Sequence, residues 1–125
     1  MAFKYEYPKQ DRTLYCYKLI EDDDKIYVRK IEITEYSERH SYSEVQYRFD
    51  GKSNGVSNYR RDYVEAKQIG KLAYSKIFTF NPDLENVYRT IEEELERKFR
   101  KAESAFANAE SRLEKWNRFK EEVVL

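Results

Sequence analysis

The sequence predicts an α+β fold: a small, tyrosine-rich antiparallel β-sheet followed by a long C-terminal amphipathic, coiled-coil-like helix, or by a helix pair. Three observations predict it. The first 80 residues hold short runs rich in Ile, Val, Thr, Tyr and Phe, separated by turn formers. Residues 82–123 contain no glycine, and their one proline stands at the start. Within them apolar residues recur at Leu84, Tyr88, Ile91, Leu95, Phe99, Ala102, Phe106, Ala109, Leu113 and Trp116. Those spacings of three and four, with one stutter between Leu95 and Phe99, are a coiled-coil seam.

Residues 1–12 are polar with an early proline and read as a loosely ordered arm. TLYCYKLI (13–20) is β-rich with apolar residues on both faces: Tyr15, Tyr17 and Leu19 on one, Leu14, Cys16 and Ile20 on the other. The acidic turn EDDDK and the run KIYVRKIEITEY complete an antiparallel hairpin. In SEVQYRF, Val45, Tyr47 and Phe49 alternate with Gln46 and Arg48, so a third strand with two unlike faces is expected. Asp50 to Asn58 holds two of the three glycines and reads as a loop. Residues 59–70 fit either a short strand or a helical turn, and KIFTF (76–80) fits a short strand.

The helix is expected to open at Asn81-Pro82-Asp83, with Asn81 as N-cap and Pro82 as first helical residue. Acid-before-base pairs four apart (Glu85 with Arg89, Glu93 with Arg97, Glu94 with Lys98, Glu96 with Arg100) each add about 0.3–0.5 kcal/mol. Small residues between Ala102 and Ala109 leave room for close approach of another helix, or for a break near Ser104 to Asn108. A helix of about 40 residues is roughly 60 Å long, so its stripe must meet a partner chain or fold back on itself. The pattern therefore predicts a homo-oligomer, a dimer or a multiple of dimers.

A chain of 125 residues is read as one domain: arm 1–12, sheet 13–80, helix 81–123. Its mean hydropathy of −1.00 suits a disordered chain, but 12 Tyr and 7 Phe do not. The core must therefore be largely aromatic. Lys plus Arg and Asp plus Glu are 24 each, which removes any global field toward nucleic acid. One cysteine, no apolar leader and no long apolar run make a cytoplasmic protein without a membrane span the expectation.

Catalytic signatures such as a Gly-rich phosphate loop, GxSxG or HExxH do not occur. His40 reads as a solvated loop histidine and Cys16 as a core thiol. One histidine and one cysteine exclude an ordinary zinc site within one chain. Glu21 to Asp24 reads as a solvated hairpin tip, since Lys25 interrupts any calcium-type ligand spacing. Arg60 and Arg61, flanked by Tyr59 and Tyr63 beside a Gly/Ser/Asn loop, pair guanidinium forks with aromatic faces. Arg97, Lys98, Arg100 and Lys101 form a basic belt around the helix.

The strand YCYKL, the strand KIFTF and the helix entry NPDLENVYRT, in that order, resemble the phage-encoded Thoeris anti-defence family of signal sponges. The resemblance implies a non-catalytic oligomer, without cofactor, that traps a cyclic ADP-ribose-type nucleotide at a subunit interface. An adenine face and a diphosphate require aromatic and cationic partners. The residues suited to those roles are Tyr17, Phe80 and Tyr88 for stacking, and Arg60, Arg61, Arg89, Arg97 and Lys98 for the phosphates. Two other readings stay open: a phage inhibitor that docks on a host defence nuclease through exposed tyrosines, and a structural coiled-coil adaptor.

Overall fold

The computed structural model describes residues 7–122. Among the described residues, seven antiparallel strands form two sheets rather than one. Strands β1 (Lys9–Glu21), β2 (Ile26–Glu35), β6 (Leu72–Ala73) and β7 (Lys76–Thr79) make a four-stranded sheet in the order β2-β1-β7-β6. Strands β3 (Ser37–Ser41), β4 (Glu44–Phe49) and β5 (Asp62–Glu65) make a three-stranded sheet in the order β3-β4-β5. A short helix, α1 (Gly51–Asn54), joins β4 to β5, and a 3-10 turn (Ala66–Gln68) follows β5. A long helix, α2 (Leu84–Glu122), ends the described chain.

The period of two explains the core. On β1, Leu14 and Cys16 face Ile33 and Ile31 of β2, and Phe78 of β7 lies opposite Cys16. These side chains form one buried cluster with Tyr47 and Phe49 of β4, Val64 of β5 and Val56 after α1. Phe49 and Phe78 bring rings from the two sheets to 5.7 Å. Tyr17 and Ile77 occupy the opposite face of the larger sheet and are equally buried, as is Val87 early in α2. Asp83, at the entry of α2, lies near enough to Tyr17 to act on its hydroxyl, whose pKa burial already raises.

One residue separates the sheets. β2 ends at Glu35 and β3 begins at Ser37, so the chain changes sheet at Tyr36. Tyr36 is buried, and its hydroxyl donates to the Arg12 carbonyl at 2.6 Å. Its backbone N–H donates to the Pro8 carbonyl at 3.0 Å, and its own carbonyl accepts from Gln10 Nε2 at 2.8 Å. Those bonds recruit the predicted arm: residues 9–12 belong to β1, where Lys9 pairs with Glu35 before an irregularity in register ahead of Leu14. Residues 1–6 of that arm lie outside the described residues.

Other expectations shift for identifiable reasons. Asp50 to Asn58 is not a plain loop, because Asp50 caps α1 and Gly55, at φ 75°, closes it. Residues 59–70 combine both alternatives, a strand and then a 3-10 turn. His40 lies in β3, exposed, opposite Val45. The helix opens at Leu84 because the Asp83 carboxylate, not Asn81, accepts the Asn86 N–H at 3.2 Å. Asn81 and Pro82 stand before it.

By contacts the described chain divides at Thr90 and Ile91 into two compact units. The first holds both sheets. The second is helical, without a break at residues 104–108. Arg100 lies 3.9 Å from Glu96, the expected spacing, but Arg97 pairs with Glu94 three residues earlier. On this unit Leu95, Phe99, Phe106, Leu113, Trp116 and Phe119 are exposed.

Replacing Tyr36 with Phe removes only the bond to Arg12 and is expected to cost about 1 kcal/mol. Tyr36→Ala also removes a buried ring and is expected to cost about 3–5 kcal/mol. Urea melts of the two variants measure the difference. Burial pushes the Cys16 thiol up to about 12, so it should resist thiol reagents at pH 8 while native and react promptly once unfolded. Rapid native labelling would contradict its place in the core.

Candidate functional site

The outer face of the smaller sheet follows from the same alternation. If Val45, Tyr47 and Phe49 turn inward, Gln46 and Arg48 turn outward. The register sets Arg39 of β3 beside Gln46, and Ser37 and Tyr63 on either side of Arg48. Arg61 and Asp62, at the start of β5, and Tyr7 and Pro8, just before β1, complete a groove of about 700 Å³. Three arginines face one carboxylate there.

That carboxylate is already engaged. Asp62 Oδ2 accepts from Ser57 Oγ at 2.6 Å, and Oδ1 accepts from the Tyr63 N–H at 2.7 Å. Arg48 donates from Nε and Nη2 to the neutral Gln46 Oε1 at 3.4 and 3.3 Å, a partner that orients the guanidinium without cancelling its charge. The Tyr7 hydroxyl is pushed above its ordinary 10.0, first by burial and then by Asp50, against the opposing pull of Arg48 and Arg39. It stays a neutral donor at physiological pH. The groove thus combines guanidinium forks, phenol hydroxyls and two tyrosine rings, a chemistry suited to phosphate oxygens and a flat base.

The segment that delivers Arg61 is held by its own hydrogen bonds. Asp50 accepts from the Ser53 N–H and hydroxyl, each at 3.0 Å, and the Lys52 N–H donates to the Tyr59 carbonyl at 3.0 Å. Val56 and Ser57 both donate to the Gly51 carbonyl. A Cβ on Gly51 would stand 2.2 Å from Ser57 Oγ and 2.8 Å from the Tyr59 carbonyl oxygen, so only glycine lets the chain close here.

Of the eight residues singled out from sequence, only Arg61 lines this groove. Tyr17 is 1% exposed and presents no open ring face. Phe80 packs on Tyr47 at 5.0 Å and Tyr36 at 6.2 Å, and the Arg12 guanidinium covers it 3.5 Å from the ring centre. Its stacking surface is taken by the protein itself. Arg60 is exposed, and Tyr88 and Arg89 are exposed on α2. Arg97 and Lys98 belong to the second unit, and Arg97 donates to Glu94 from Nε at 3.0 Å. Sequence reasoning missed Tyr7, Arg39 and Arg48. Reading SERHS as the strand that mirrors EVQYRF across Tyr42-Ser43 would have set Arg39 and Arg48 on one face.

A second cavity, of about 290 Å³, shares Asp62 and Tyr63 with the groove, but its Lys71 and Lys76 are matched by Asp62 and Glu65. Among the described residues no His, Cys, Asp or Glu cluster could hold a metal ion, and no helix is long and apolar enough to cross a membrane.

No protein-family model matches the chain, and neither a curated protein nor a solved structure resembles it significantly.

Hydrogen bonds from Ser53 hold the Asp50 carboxyl below its usual 3.8. A depressed carboxylate contributes stability that is complete above its unfolded pKa and is lost as pH falls through the folded one. Stability should therefore drop more steeply below about pH 4 in the wild type than in Asp50→Ala. Urea midpoints between pH 2 and 6 test this, and equal slopes would remove Asp50 from the loop's support.

Proposed function

We propose that the protein is a non-catalytic, cytoplasmic binder that sequesters a phosphate-bearing nucleotide of the cyclic ADP-ribose type in the arginine groove. It does so as a homo-oligomer, after the manner of the phage signal sponges its sequence pattern resembles. The observation that carries the reading is the meeting of Arg39, Arg48 and Arg61 with Tyr7 and Tyr63 in one groove. Its volume of about 700 Å³ falls within the roughly 300–1,000 Å³ of small-molecule sites. Two guanidinium forks suit a diphosphate, and a tyrosine ring suits the base.

The groove's chemistry favours holding over turnover. Its lining contains no histidine, cysteine or lysine, and its one carboxylate is occupied by Ser57 and the Tyr63 backbone. The hydroxyl nearest that carboxylate, Ser57, donates to it as part of the loop's own support and is not among the groove's lining residues. A bound nucleotide is then retained intact.

A second reading draws on a different observation. Tyr42 and Tyr74 sit at hairpin turns with φ of 53° and 51°, and both rings are almost fully exposed. An exposed tyrosine at a left-handed backbone position is a costly place for an aromatic ring, and such rings anchor protein interfaces. This supports a protein-binding inhibitor that docks through the hairpin tips.

Calorimetry with cyclic ADP-ribose and ADP-ribose separates the two. Arg39→Ala, Arg48→Ala and Arg61→Ala should each weaken binding roughly 10- to 150-fold, the loss of one charge-assisted hydrogen bond or a pair of them. Arg60→Ala and Tyr88→Ala should bind as the wild type does, and mass spectrometry should recover the nucleotide unchanged. No binding by folded wild-type protein removes the sponge reading, and Tyr42→Ala and Tyr74→Ala pull-downs from host lysate then test the second.

A further inference from the structure

The second unit exposes a stripe out of proportion to its size. Leu95, Phe99, Phe106, Leu113 and Trp116 are 42–67% exposed, with Ala102 and Ala109 between them. Covering the stripe from Leu95 to Leu113 would remove on the order of 550 Å² per chain, and the flanking side chains that such a contact also covers bring it toward the roughly 800 Å² per partner of a standard stable interface. The stripe therefore has the area of an interface.

The order of large and small residues says what fits it. From Leu95 to Leu113 the seam reads Leu, Phe, Ala, Phe, Ala, Leu. Reversed, the same row sets each Phe against an Ala and each Leu against a Leu. Leu95 meets the partner's Leu113, Phe99 meets the partner's Ala109, and Ala102 meets the partner's Phe106. Every layer then has nearly the same volume, which two helices at constant separation require. Pairing in the same direction would stack Phe on Phe and Ala on Ala in successive layers, crowding one and leaving a void in the next.

We propose that this face of α2 docks on the same face of a second copy of the chain, antiparallel, about a two-fold axis at Ser104. The proposal deepens the assembly part of the reading above and rests on that part alone. An isologous contact of this kind closes on itself, as two-fold interfaces do.

Charge opposes the arrangement and gives it a signature. Glu96, Glu103 and Glu110 run along one flank of the seam, and Lys98 and Arg112 along the other. Antiparallel docking sets Glu103 beside its own copy, Glu96 beside the partner's Glu110, and Lys98 beside the partner's Arg112. Parallel docking would set Lys98 beside the partner's Glu103. Each like-charge contact costs about a factor of two and is screened by salt. Each mismatched Phe or Ala layer costs roughly tenfold or more. Packing wins, and the dimer should tighten as salt is added.

The test uses the full chain carrying Arg118→Cys with a nitroxide label. Cys16 is fully buried, with its thiol pushed up to about 12, and stays unlabelled. Light scattering at micromolar concentration should give a dimer. Spin–spin distances should centre near 42 Å or slightly more, from the 1.5 Å rise per residue on either side of the axis, rather than about 20 Å. Ala102→Phe and Phe106→Ala should each weaken the dimer, and the double exchange should restore it, because each Phe again faces an Ala. A monomer with its helix intact by circular dichroism overturns both the arrangement and the assembly reading. A dimer with the short distance, an unrescued double exchange, or weakening by salt overturns the antiparallel arrangement alone. The nucleotide reading stands apart, decided by calorimetry.

Discussion

The fold of the first unit depends on a single buried residue that belongs to neither sheet. A strand continued through Tyr36 would add β3 to the larger sheet and leave the aromatic face of β4 without a partner. Instead the chain turns there, and the turn is held from both sides. The phenol reaches the Arg12 carbonyl, the backbone meets Pro8 and Gln10, and the ring lies 5.9 Å from Tyr47 at a steep angle. The polar atoms that a change of sheet would strand in the interior are thereby satisfied, which buried groups require. The ring contributes apolar area to the core on which both sheets close. Tyrosine serves this position because it offers a large apolar body and a directed hydroxyl together.

This arrangement also decides what the outer face of the smaller sheet can be. Because Tyr47 and Phe49 are drawn against the larger sheet, Gln46 and Arg48 must look the other way, and β3 and β5 bring Arg39 and Tyr63 alongside. Arg61 arrives by a different device, the knot of hydrogen bonds from Asp50 to Asp62 that only a glycine at position 51 permits. The zero net charge of the chain therefore conceals a local concentration of guanidinium groups. Phe80 illustrates the converse. Its ring is an attractive platform in sequence, yet Arg12 lies 3.5 Å above it and two tyrosines pack around it. The cation–π contact that could have held a ligand is satisfied within the chain.

The two units solve different problems. The sheets bury their own apolar residues and leave a polar groove. The helix keeps an apolar stripe that its own unit does not cover. Local ion pairs such as Arg97 with Glu94 and Arg100 with Glu96 are exposed and add little individually, so they bias the helix toward forming without fixing what it meets. A nucleotide binder that also assembles would draw its affinity from the first unit and its valency from the second.

What the sequence determined by itself is what depends on near neighbours. The β1–β2 hairpin, the two-faced strand at Val45 to Phe49, the KIFTF strand and the long helix were all legible, because a period of two or of 3.6 is written in consecutive residues. The heptad seam belongs to the same class, and so does the burial of Cys16 among alternating apolar residues. Tertiary structure decided what depends on partners distant in the chain. These are the division into two sheets at Tyr36 and the capture of residues 9–12 by β1. The groove is the clearest case, since Tyr7, Arg39, Arg48 and Arg61 become neighbours only once strand register is set. Register in turn depends on which faces are buried against each other. That is a property of the packed core: the local SERHS–EVQYRF hairpin sets Arg39 and Arg48 on one face, but only the packed fold brings Tyr7 and Arg61 to them.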